Sequence, residues 1–151
     1  MDPVDRTLIA LLQEDASRSY AELGRAVHLS APAVHERVRK LRQAGVVRRT
    51  TIEVDPAALG RPLLAFVEVD TQGWVKQPLV DAVRDDPRVE DLHSIAGDTH
   101  FLAKVRVAGP GDLEELLHDL YSVDGVLNTR TRVVLQTYVD RPPAAQAPPG
   151  R

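Results

Sequence analysis

Cysteine is absent from this sequence of 151 residues, and aromatic residues are scarce at 4%, with a single tryptophan. Without cysteine the chain has no disulfide, no cysteine zinc site and no thiol nucleophile. No apolar run approaches the ~18 residues that a membrane-spanning helix needs, and the N-terminus lacks the pattern of a signal peptide. We therefore expect a soluble, cytoplasmic protein with no membrane partner.

The composition is otherwise that of ordinary globular protein, with 43% hydrophobic and 27% charged residues. The length favours two compact modules of roughly 50 and 80 residues. The residue pattern predicts a helical domain over 1–48, a hinge strand and linker over 49–62, a second domain over 63–139, and a disordered, proline-rich tail over 140–151.

The net charge of −3 is unevenly distributed along the chain. Residues 1–50 contain nine lysines and arginines against six acidic residues, whereas residues 51–151 contain 10 and 16, which together give the 19 basic and 22 acidic residues of the whole. The basic excess lies between Arg37 and Arg49, and no acidic residue follows Glu36 until after Ile52. This local cationic stretch indicates a polyanionic partner, although a solvated helix face gives the same pattern.

Three helices are predicted in the first 50 residues. Asp2 and Pro3 form a typical N-cap and first helical position, and a Ser-x-x-Glu capping box at Ser19 begins a second, short helix. The third helix begins near Ser30 and ends at Gly45, a good helix stop. The inward apolar residues at helical spacing are Val4, Leu8, Leu11 and Leu12 in the first helix, Leu23, Ala26 and Val27 in the second, and Val34, Val38 and Leu41 in the third.

A tight turn between the second and third helices gives the helix-turn-helix plan, in which the last helix enters the major groove of DNA. At about 100° per residue, small residues and cations lie on the third helix opposite its inward stripe. Small residues allow close approach to base edges, and cations suit phosphates or guanine. The candidate DNA-binding residues are Ser30, Pro32, Ala33, His35, Glu36, Arg37, Arg39 and Lys40.

Glu36 is the acidic member of this set and has two interpretations. In one, its carboxylate accepts a hydrogen bond from cytosine. In the other, it pairs with a neighbouring cation such as Lys40, one helical turn further along. The sequence favours the ion pair.

The remaining sequence predicts strands and helices in a regular order. A strand at 46–54 leads into a capped turn at 55–60 that acts as a hinge, and four further strands are predicted at 63–70, 89–96, 101–107 and 125–139. Helices are marked by Val75, Leu79, Val80 and Val83, and by Leu113, Leu116, Leu117, Leu120 and Tyr121. From residue 63 onward the order is β-α-β-β-α-β, which is the ferredoxin-like plan, so the predicted fold class is α+β.

The predicted sheet has apolar residues on both of its faces. The run 63–67 is apolar on both sides, and Val134 and Tyr138 lie opposite Val133 and Leu135. Because right-handed crossovers place both helices on one face, the other face needs a different cover. A second copy of the chain is the simplest cover.

A series of short segments matches the motifs of one known family, in the right order. The segments are Asp5-Arg6 with Leu11-Leu12-Gln13, Leu29-Ser30, Val38-Arg39-Lys40-Leu41, Gly45-Val46-Val47, Leu59-Gly60, Ala65-Phe66-Val67, Gly97-Asp98 with Phe101-Leu102 and Lys104-Val105, and Thr129-Arg130-Thr131 with Val133-Val134-Leu135. Over about residues 2–139 the chain thus resembles the Lrp/AsnC (feast/famine) family of prokaryotic transcriptional regulators. The family commonly has an aromatic and an acidic residue after its Gly-Asp pair, where this chain has Thr99 and His100.

The resemblance implies a winged helix-turn-helix DNA-binding domain, a hinge strand, and a ferredoxin-like effector-binding and oligomerisation domain. It also implies a homodimer that forms through the sheet domain and assembles into tetramers or octamers. The implied function is sequence-specific transcriptional regulation on double-stranded DNA, modulated by a small molecule, an amino acid, bound at subunit interfaces.

The resemblance further nominates an effector site near the Gly-Asp loop and the Thr-x-Thr strand. The candidate effector-binding residues are Gly97, Asp98, Thr99, His100, Thr129 and Thr131. Strand alternation places the two threonines on one face and Arg130 and Arg132 on the other. Backbone groups at the turn and the Asp98 carboxylate suit the charged ends of an amino acid. The alternative is that Gly97 and Asp98 only form a turn and that the threonines only favour a strand.

We predict no catalytic residue, no metal ligand and no cofactor. The five histidines show no metal-binding spacing, and the sequence has neither a nucleophile motif nor a phosphate-binding glycine loop. His93 and His100 are predicted to share a sheet face, as structural residues, pH-sensitive ligand contacts, or haem or metal ligands. The histidines leave open one alternative function, a sirohaem-decarboxylase-like enzyme, which has a related fold. A second alternative is an effector-independent architectural DNA-binding protein.

Overall fold

The computed structural model of the protein describes residues 1–73 and 76–145. The chain divides into two compact units, one formed by Met1–Ile52 with residues 139–145 and the other by Glu53–Tyr138. We call them the N-terminal unit and the C-terminal unit. The first contains helices and the second contains a sheet with helices, so the predicted α+β class is confirmed.

Three capped helices form the N-terminal unit. They are α1 (Pro3–Glu14), α2 (Tyr20–Val27) and α3 (Ala31–Gln43). The Asp2 carboxylate accepts from the backbone N–H of Asp5 at 2.8 Å, Ser19 and Glu22 form a reciprocal capping box, and the hydroxyl of Ser30 caps α3. These bonds satisfy N–H groups that the first turn of a helix leaves without a partner. The predicted helix starts are confirmed.

The inward residues of the three helices share one core, except Ala26, which was predicted to face inward and is exposed. Leu8, Leu23, Val34 and Val38 are almost fully buried, and Val4, Leu11, Leu12, Tyr20, Val27 and Leu29 pack against them. Leu41 is buried too, which confirms the predicted inward stripe of α3. The opposite side of α3 is consequently directed away from the core.

The turn between α2 and α3 depends on a close approach at Gly24. His28 has left-handed backbone with a φ of 56°, and the N–H of Leu29 donates to the Gly24 carbonyl at 2.9 Å. A Cβ at position 24 would lie 2.4 Å from the backbone oxygen of Leu29. Glycine is therefore required for the observed spacing between α2 and the start of α3.

Helix α3 ends at Gln43, and Gly45, the predicted helix stop, follows its C-cap Ala44. Gly45 has a φ of +70°, which favours glycine. Its N–H donates to the Arg42 carbonyl at 3.0 Å, and the N–H of Val46 donates to the Leu41 carbonyl at 2.9 Å. This pair of bonds is the Schellman motif, which satisfies carbonyls at the end of the helix.

The predicted strand at 46–54 is wrong, because the structure assigns no strand between residues 44 and 62. The three helices therefore carry no strand wing in this stretch. A strand is held by hydrogen bonds to a neighbouring strand, and the sheet pairs only four strands, all beyond this segment. Ile52 accordingly remains 81% exposed. The capped turn that follows is confirmed, since the Asp55 carboxylate accepts from the N–H of Ala57 at 2.9 Å.

The C-terminal unit has the predicted β-α-β-β-α-β order. Its elements are β1 (Leu63–Thr71), α4 (Gln77–Val83), β2 (Val89–Ser94), β3 (Phe101–Val107), α5 (Pro110–Tyr121) and β4 (Val126–Val133). The sheet order is β2-β3-β1-β4 with antiparallel pairing throughout, which is the ferredoxin-like topology. Val75, predicted to mark the first of these helices, lies outside the described residues.

Two predicted strands are too long. β4 ends at Val133, with one further bond from the N–H of Val134 to the Leu64 carbonyl at 2.9 Å, although the sequence predicted a strand to Val139. Continued at the register Ala65↔Val133, Leu135 would lie opposite Leu63, where β1 begins, so residues 136–139 have no β1 residue to pair with. Similarly, β2 ends two residues early because the chain turns into the loop at Gly97.

One face of the sheet carries the core, and the other is mixed. The core residues are Ala65, Val67, Val69, Phe101, Ala103, Val105 and Val107 from the strands, with Leu79 and Val83 from α4 and Leu113, Leu116 and Leu120 from α5. The opposite face has half-buried Phe66 and Leu102, but also ion pairs such as Arg132 to Glu68 at 2.9 Å. The expectation of an apolar second face therefore holds only in part.

The described part of the predicted tail, residues 140–145, has neither helix nor strand. It contacts α1, because the side-chain amide of Gln13 donates to the Pro143 carbonyl at 2.9 Å and Arg6 donates to the Ala145 carbonyl at 3.5 Å. The rest of the predicted tail lies outside the described residues, so disorder there stays a prediction.

Replacing Gly24 with alanine is expected to lower the free energy of unfolding of the N-terminal unit by roughly 1–3 kcal/mol, because the new methyl group must displace the Leu29 carbonyl. Amide hydrogen exchange in α2 and α3 measures the stability of this unit separately. Gly111→Ala is the control, since a Cβ at that position meets no atom within 4 Å. Unchanged exchange in Gly24→Ala would show that the close approach is not required.

Candidate functional site

The outward side of α3 carries the residues predicted to bind DNA. Pro32, His35, Arg39 and Lys40 are exposed, while Ala33, Glu36 and Arg37 are half-buried. Small residues occupy the first turn and cations the later turns. The structure thus brings the predicted residues together on one helix, although most of their side chains also have structural partners.

Arg37 is an ion-pair partner of the N-terminus of α1. Its Nη1 lies 2.6 Å from a carboxylate oxygen of Asp2 and 2.8 Å from one of Asp5. Hydrogen bonds to these two carboxylates raise the pKa of Arg37. No local pattern in the sequence signals this pairing, because the partners lie more than 30 positions away. A DNA contact by Arg37 stays a prediction, but the geometry gives it a role in holding α3 against α1.

Glu36 pairs with cations on its own helix. Nε and Nη2 of Arg39 donate to the two carboxylate oxygens of Glu36 at 2.8 and 2.6 Å, and Nζ of Lys40 lies 3.7 Å away. The hydrogen bonds from Arg39 are the main reason that the pKa of Glu36 is lowered. The ion-pair interpretation of Glu36 is confirmed, with Arg39 as the principal partner instead of Lys40.

Two further candidates, His35 and Ser30, also have side-chain contacts. The His35 ring makes an edge contact with the Tyr20 ring of α2, with centroids 5.2 Å apart. The Ser30 hydroxyl accepts from the N–H of Ala33 at 3.4 Å, so its side chain is engaged as a cap. The basic surface continues through exposed Arg42 in the last turn of α3 and through exposed Arg48 and Arg49 beyond the helix.

The loop between β2 and β3 contains four of the candidate effector residues. Gly97 and Asp98 are exposed, Thr99 is only 6% exposed, and Gly97 has a φ of +143°. Nδ1 of His100 accepts from the backbone N–H of Thr71 at 3.1 Å. The His100 side chain therefore fastens this loop to the end of β1, a contact that the sequence did not predict.

Thr129 and Thr131 lie on the other side of β1 from that loop. They pair with Val69 and Val67 and face the helix-covered side, whereas Arg130 and Arg132 face the other, as predicted. Since β1 lies between β3 and β4, a full strand separates the two groups of effector candidates. A single chain does not join them into one site.

Tyr121, on α5, is a neighbour of the threonine strand that sequence reasoning missed. Its hydroxyl accepts from the backbone N–H of Thr129 at 3.1 Å and donates to the side-chain oxygen of Asn128 at 3.2 Å. These hydrogen bonds with Thr129 lower the pKa of Tyr121. Its apolar spacing in the sequence had indicated only a core position.

The predicted histidine pair does not form a metal site in the described residues. His93 is exposed and pairs with Leu102, while His100 is turned to Thr71. Within residues 1–73 and 76–145, no group of three or more histidine or acidic side chains could hold a metal ion. Over the same ranges, every helix is too short or too polar to cross a bilayer.

Two family models match the chain. The AsnC-type helix-turn-helix domain matches residues 1–42, and the Lrp/AsnC ligand binding domain matches residues 64–144. Among curated proteins, the HTH-type transcriptional regulator FL11 of Pyrococcus horikoshii is 30% identical over 138 residues, which is 91% of each chain. The similarity therefore extends over both units.

Solved structures show the same architecture. Escherichia coli AsnC is 26% identical, with a TM-score of 0.87 over 94% of this chain and 97% of that one. A transcriptional regulator from Neisseria meningitidis, solved as a complex with L-methionine, is 25% identical, with a TM-score of 0.87 over 93% and 94%. Bacillus subtilis LrpC is 28% identical, with a TM-score of 0.85 over 93% and 97%.

The Asp2–Arg37 ion pair is expected to make the stability of the N-terminal unit depend on pH. The N–H of Asp5 and the Arg37 guanidinium lower the pKa of Asp2, so the folded unit binds this proton less readily than the unfolded chain. The contribution of the pair to stability is therefore complete above about pH 4, the ordinary aspartate value, and is lost as the pH falls through the lower folded pKa.

The test compares thermal unfolding of wild type and Asp2→Asn from neutral to acidic pH. Asparagine still caps a helix, so the variant removes the charge and keeps the cap. We expect Asp2→Asn to unfold a few degrees lower at neutral pH and the difference to vanish at acidic pH. A difference that stays constant over the whole range would contradict the assignment.

Proposed function

We propose, from the premise that this chain belongs to the Lrp/AsnC family of transcriptional regulators, that α3 is its DNA-reading helix and enters the major groove of double-stranded DNA. The protein is a transcriptional regulator with an Lrp/AsnC ligand-binding domain. The observation that carries the proposal is the outward side of α3, where cations lie opposite buried Val34, Val38 and Leu41.

The residues of this proposed interface divide by role. In the first turn of α3, the small residues Pro32 and Ala33 allow close approach to base edges. Lys40 presents its charge from a side chain that is 69% exposed. The remaining candidates Glu36, Arg39 and His35 lie beside them, and Arg37 acts mainly by fixing α3 to α1.

The proposed domain limits follow the same division. Residues 1–48 form the DNA-binding domain, 49–62 the hinge, and 63–139 the domain that binds the effector and assembles the oligomer. A homodimer presents two reading helices to successive major-groove faces, so its sites are expected to be roughly palindromic. Support for a homodimer, and for tetramers or octamers built from it, comes from the exposed apolar residues Leu135, Tyr138 and Val139 in a segment that has left the sheet.

A salt titration tests the reading helix. The double variant Lys40→Ala/Arg42→Ala is expected to bind duplex DNA from the region flanking its own gene more weakly. Each lost phosphate contact lowers the slope of log affinity against log salt by roughly 0.9. Arg84→Ala is the matched control, because Arg84 is an exposed cation of the C-terminal unit. If the double variant keeps the wild-type affinity and slope, α3 is not the DNA-binding element.

The second part of the proposal concerns the effector, a small molecule of the amino-acid class. It is supported by the ligand-binding family model over 64–144 and by the Neisseria meningitidis relative, which was solved with L-methionine. Because β1 separates the 97–100 loop from Thr129 and Thr131, we place the effector at a junction between subunits, where these groups from different chains can meet. Binding there would bias assembly or the hinge and so couple the effector to DNA binding.

A thermal-shift screen tests the effector site, with L-methionine first and the other amino acids as a panel. Wild type is expected to show a rise in unfolding temperature with its effector, and Gly97→Trp to show none, because the indole fills the open space beside the loop. Gly111→Trp on α5 is the control, since it adds the same side chain at a distant open position. Equal shifts in all three proteins would place the ligand elsewhere.

We also propose that the regulator is cytoplasmic and has no enzymatic activity. The enzyme alternative to be tested is a haem-dependent decarboxylase. The named relatives are transcriptional regulators. The purified protein is expected to show no visible-range absorbance and to take up no haem, so no haem absorbance should remain with it once unbound haem has been removed.

A further inference from the structure

Arg39 and Glu36 form a two-pronged ion pair on the outward side of α3. Nε of Arg39 donates to Oε2 of Glu36 at 2.8 Å, and Nη2 donates to Oε1 at 2.6 Å. Both side chains are about half exposed. At 100° per residue, both positions lie on the side of the helix opposite the mean direction of Val34, Val38 and Leu41, which face the core. The pair thus occupies the middle of the surface proposed to meet the bases.

The ion pair fixes one edge of the guanidinium and leaves the other edge open. A guanidinium has five N–H donors in one rigid plane. Glu36 accepts one from Nε and one from Nη2. The remaining donors, two on Nη1 and one on Nη2, are therefore directed away from Glu36 and keep a constant orientation relative to the helix.

We propose that Arg39 reads a guanine in the major groove and that Glu36 is its positioning residue. This inference rests on the proposed role of α3 as the reading helix. Guanine presents O6 and N7 as adjacent acceptors, and these match two parallel N–H donors of a guanidinium. Because Glu36 already holds the side chain, less conformational freedom is lost when Arg39 binds the base.

The other cations of α3 do not fit this role. Arg37 is held by Asp2 and Asp5 at the N-terminus of α1. Lys40 carries a single point charge on a flexible stem, which suits phosphates. Arg42 lies in the last turn of the helix, far from the first turn that approaches the groove.

Glu36 also contributes to specificity by its charge. The hydrogen bonds and charge of Arg39, together with the charge of Lys40, lower the pKa of Glu36, so its carboxylate remains ionised when the helix approaches DNA. An ionised carboxylate repels phosphates wherever the base contact of Arg39 is missing. The pair is therefore expected to weaken binding to the wrong sequence while it strengthens binding to the right one.

Selection from a random duplex library tests the assignment. Wild type is expected to enrich sites with an invariant guanine, and Arg39→Ala to lose that preference at one position per half-site. The ratio of affinities for the selected duplex and a random duplex should fall roughly ten- to a hundredfold in Arg39→Ala. Glu36→Ala should lower the same ratio, in part by tightening random-duplex binding, and the double variant should add little further loss.

Two variants separate positioning from simple charge. Glu36→Gln keeps one acceptor oxygen for Arg39, so it is expected to restore part of the guanine preference that Glu36→Ala loses. Lys40→Ala is the control, because losing a phosphate contact weakens the selected and random duplexes by the same factor and leaves the ratio unchanged. Circular dichroism of each variant checks that the helices are intact.

The outcomes separate this inference from the proposal beneath it. An unchanged guanine preference in Arg39→Ala, or a Glu36→Ala protein that binds every duplex more tightly by one common factor, overturns the inference while DNA binding by α3 stands. If wild type binds neither the selected nor the random duplex at low salt, the proposed reading helix fails and this inference with it.

Discussion

The packing of Val34 and Val38 of α3 against Leu8 and Leu23 is the contact on which the N-terminal unit depends. It fixes the rotation of α3 about its axis, and this rotation decides which side chains face outward. Gly24 makes the contact possible by letting α2 approach the start of α3. The burial of the apolar side of α3 therefore determines which polar side chains face outward. The proposed DNA binding depends on this same small set of buried residues.

The helices could be predicted from the sequence because their signals are local. A cap and an apolar residue every three or four positions lie within one segment, as at Asp2 and Ser19. Whether a segment forms a strand depends also on a neighbouring strand, which the segment's own residues do not reveal. The segment 46–54 has the composition of a strand but no neighbour, and the predicted continuation of β4 to Val139 passes the point where β1 begins at Leu63. The sequence pattern contained neither limit.

The candidate sites show the same division between local and distant information. The outward side of α3 was predictable from helical periodicity. The ion pairs of Arg37 with Asp2 and Asp5 were not, because they depend on how α1 packs against α3. The Gly97 turn was predictable from its residue types. The attachment of His100 to Thr71 was not, because it depends on which strand ends lie side by side in the folded sheet.

The Tyr121 hydroxyl has a consequence for how copies of this chain can join. β4 is an outer strand of the sheet, and such strands recruit foreign strands through their free N–H groups. The phenol oxygen occupies the N–H of Thr129, where an incoming carbonyl would have to bind. A strand added beside β4 would have to displace the Tyr121 hydroxyl to use this N–H, so the phenol hinders lateral extension of the sheet at Thr129.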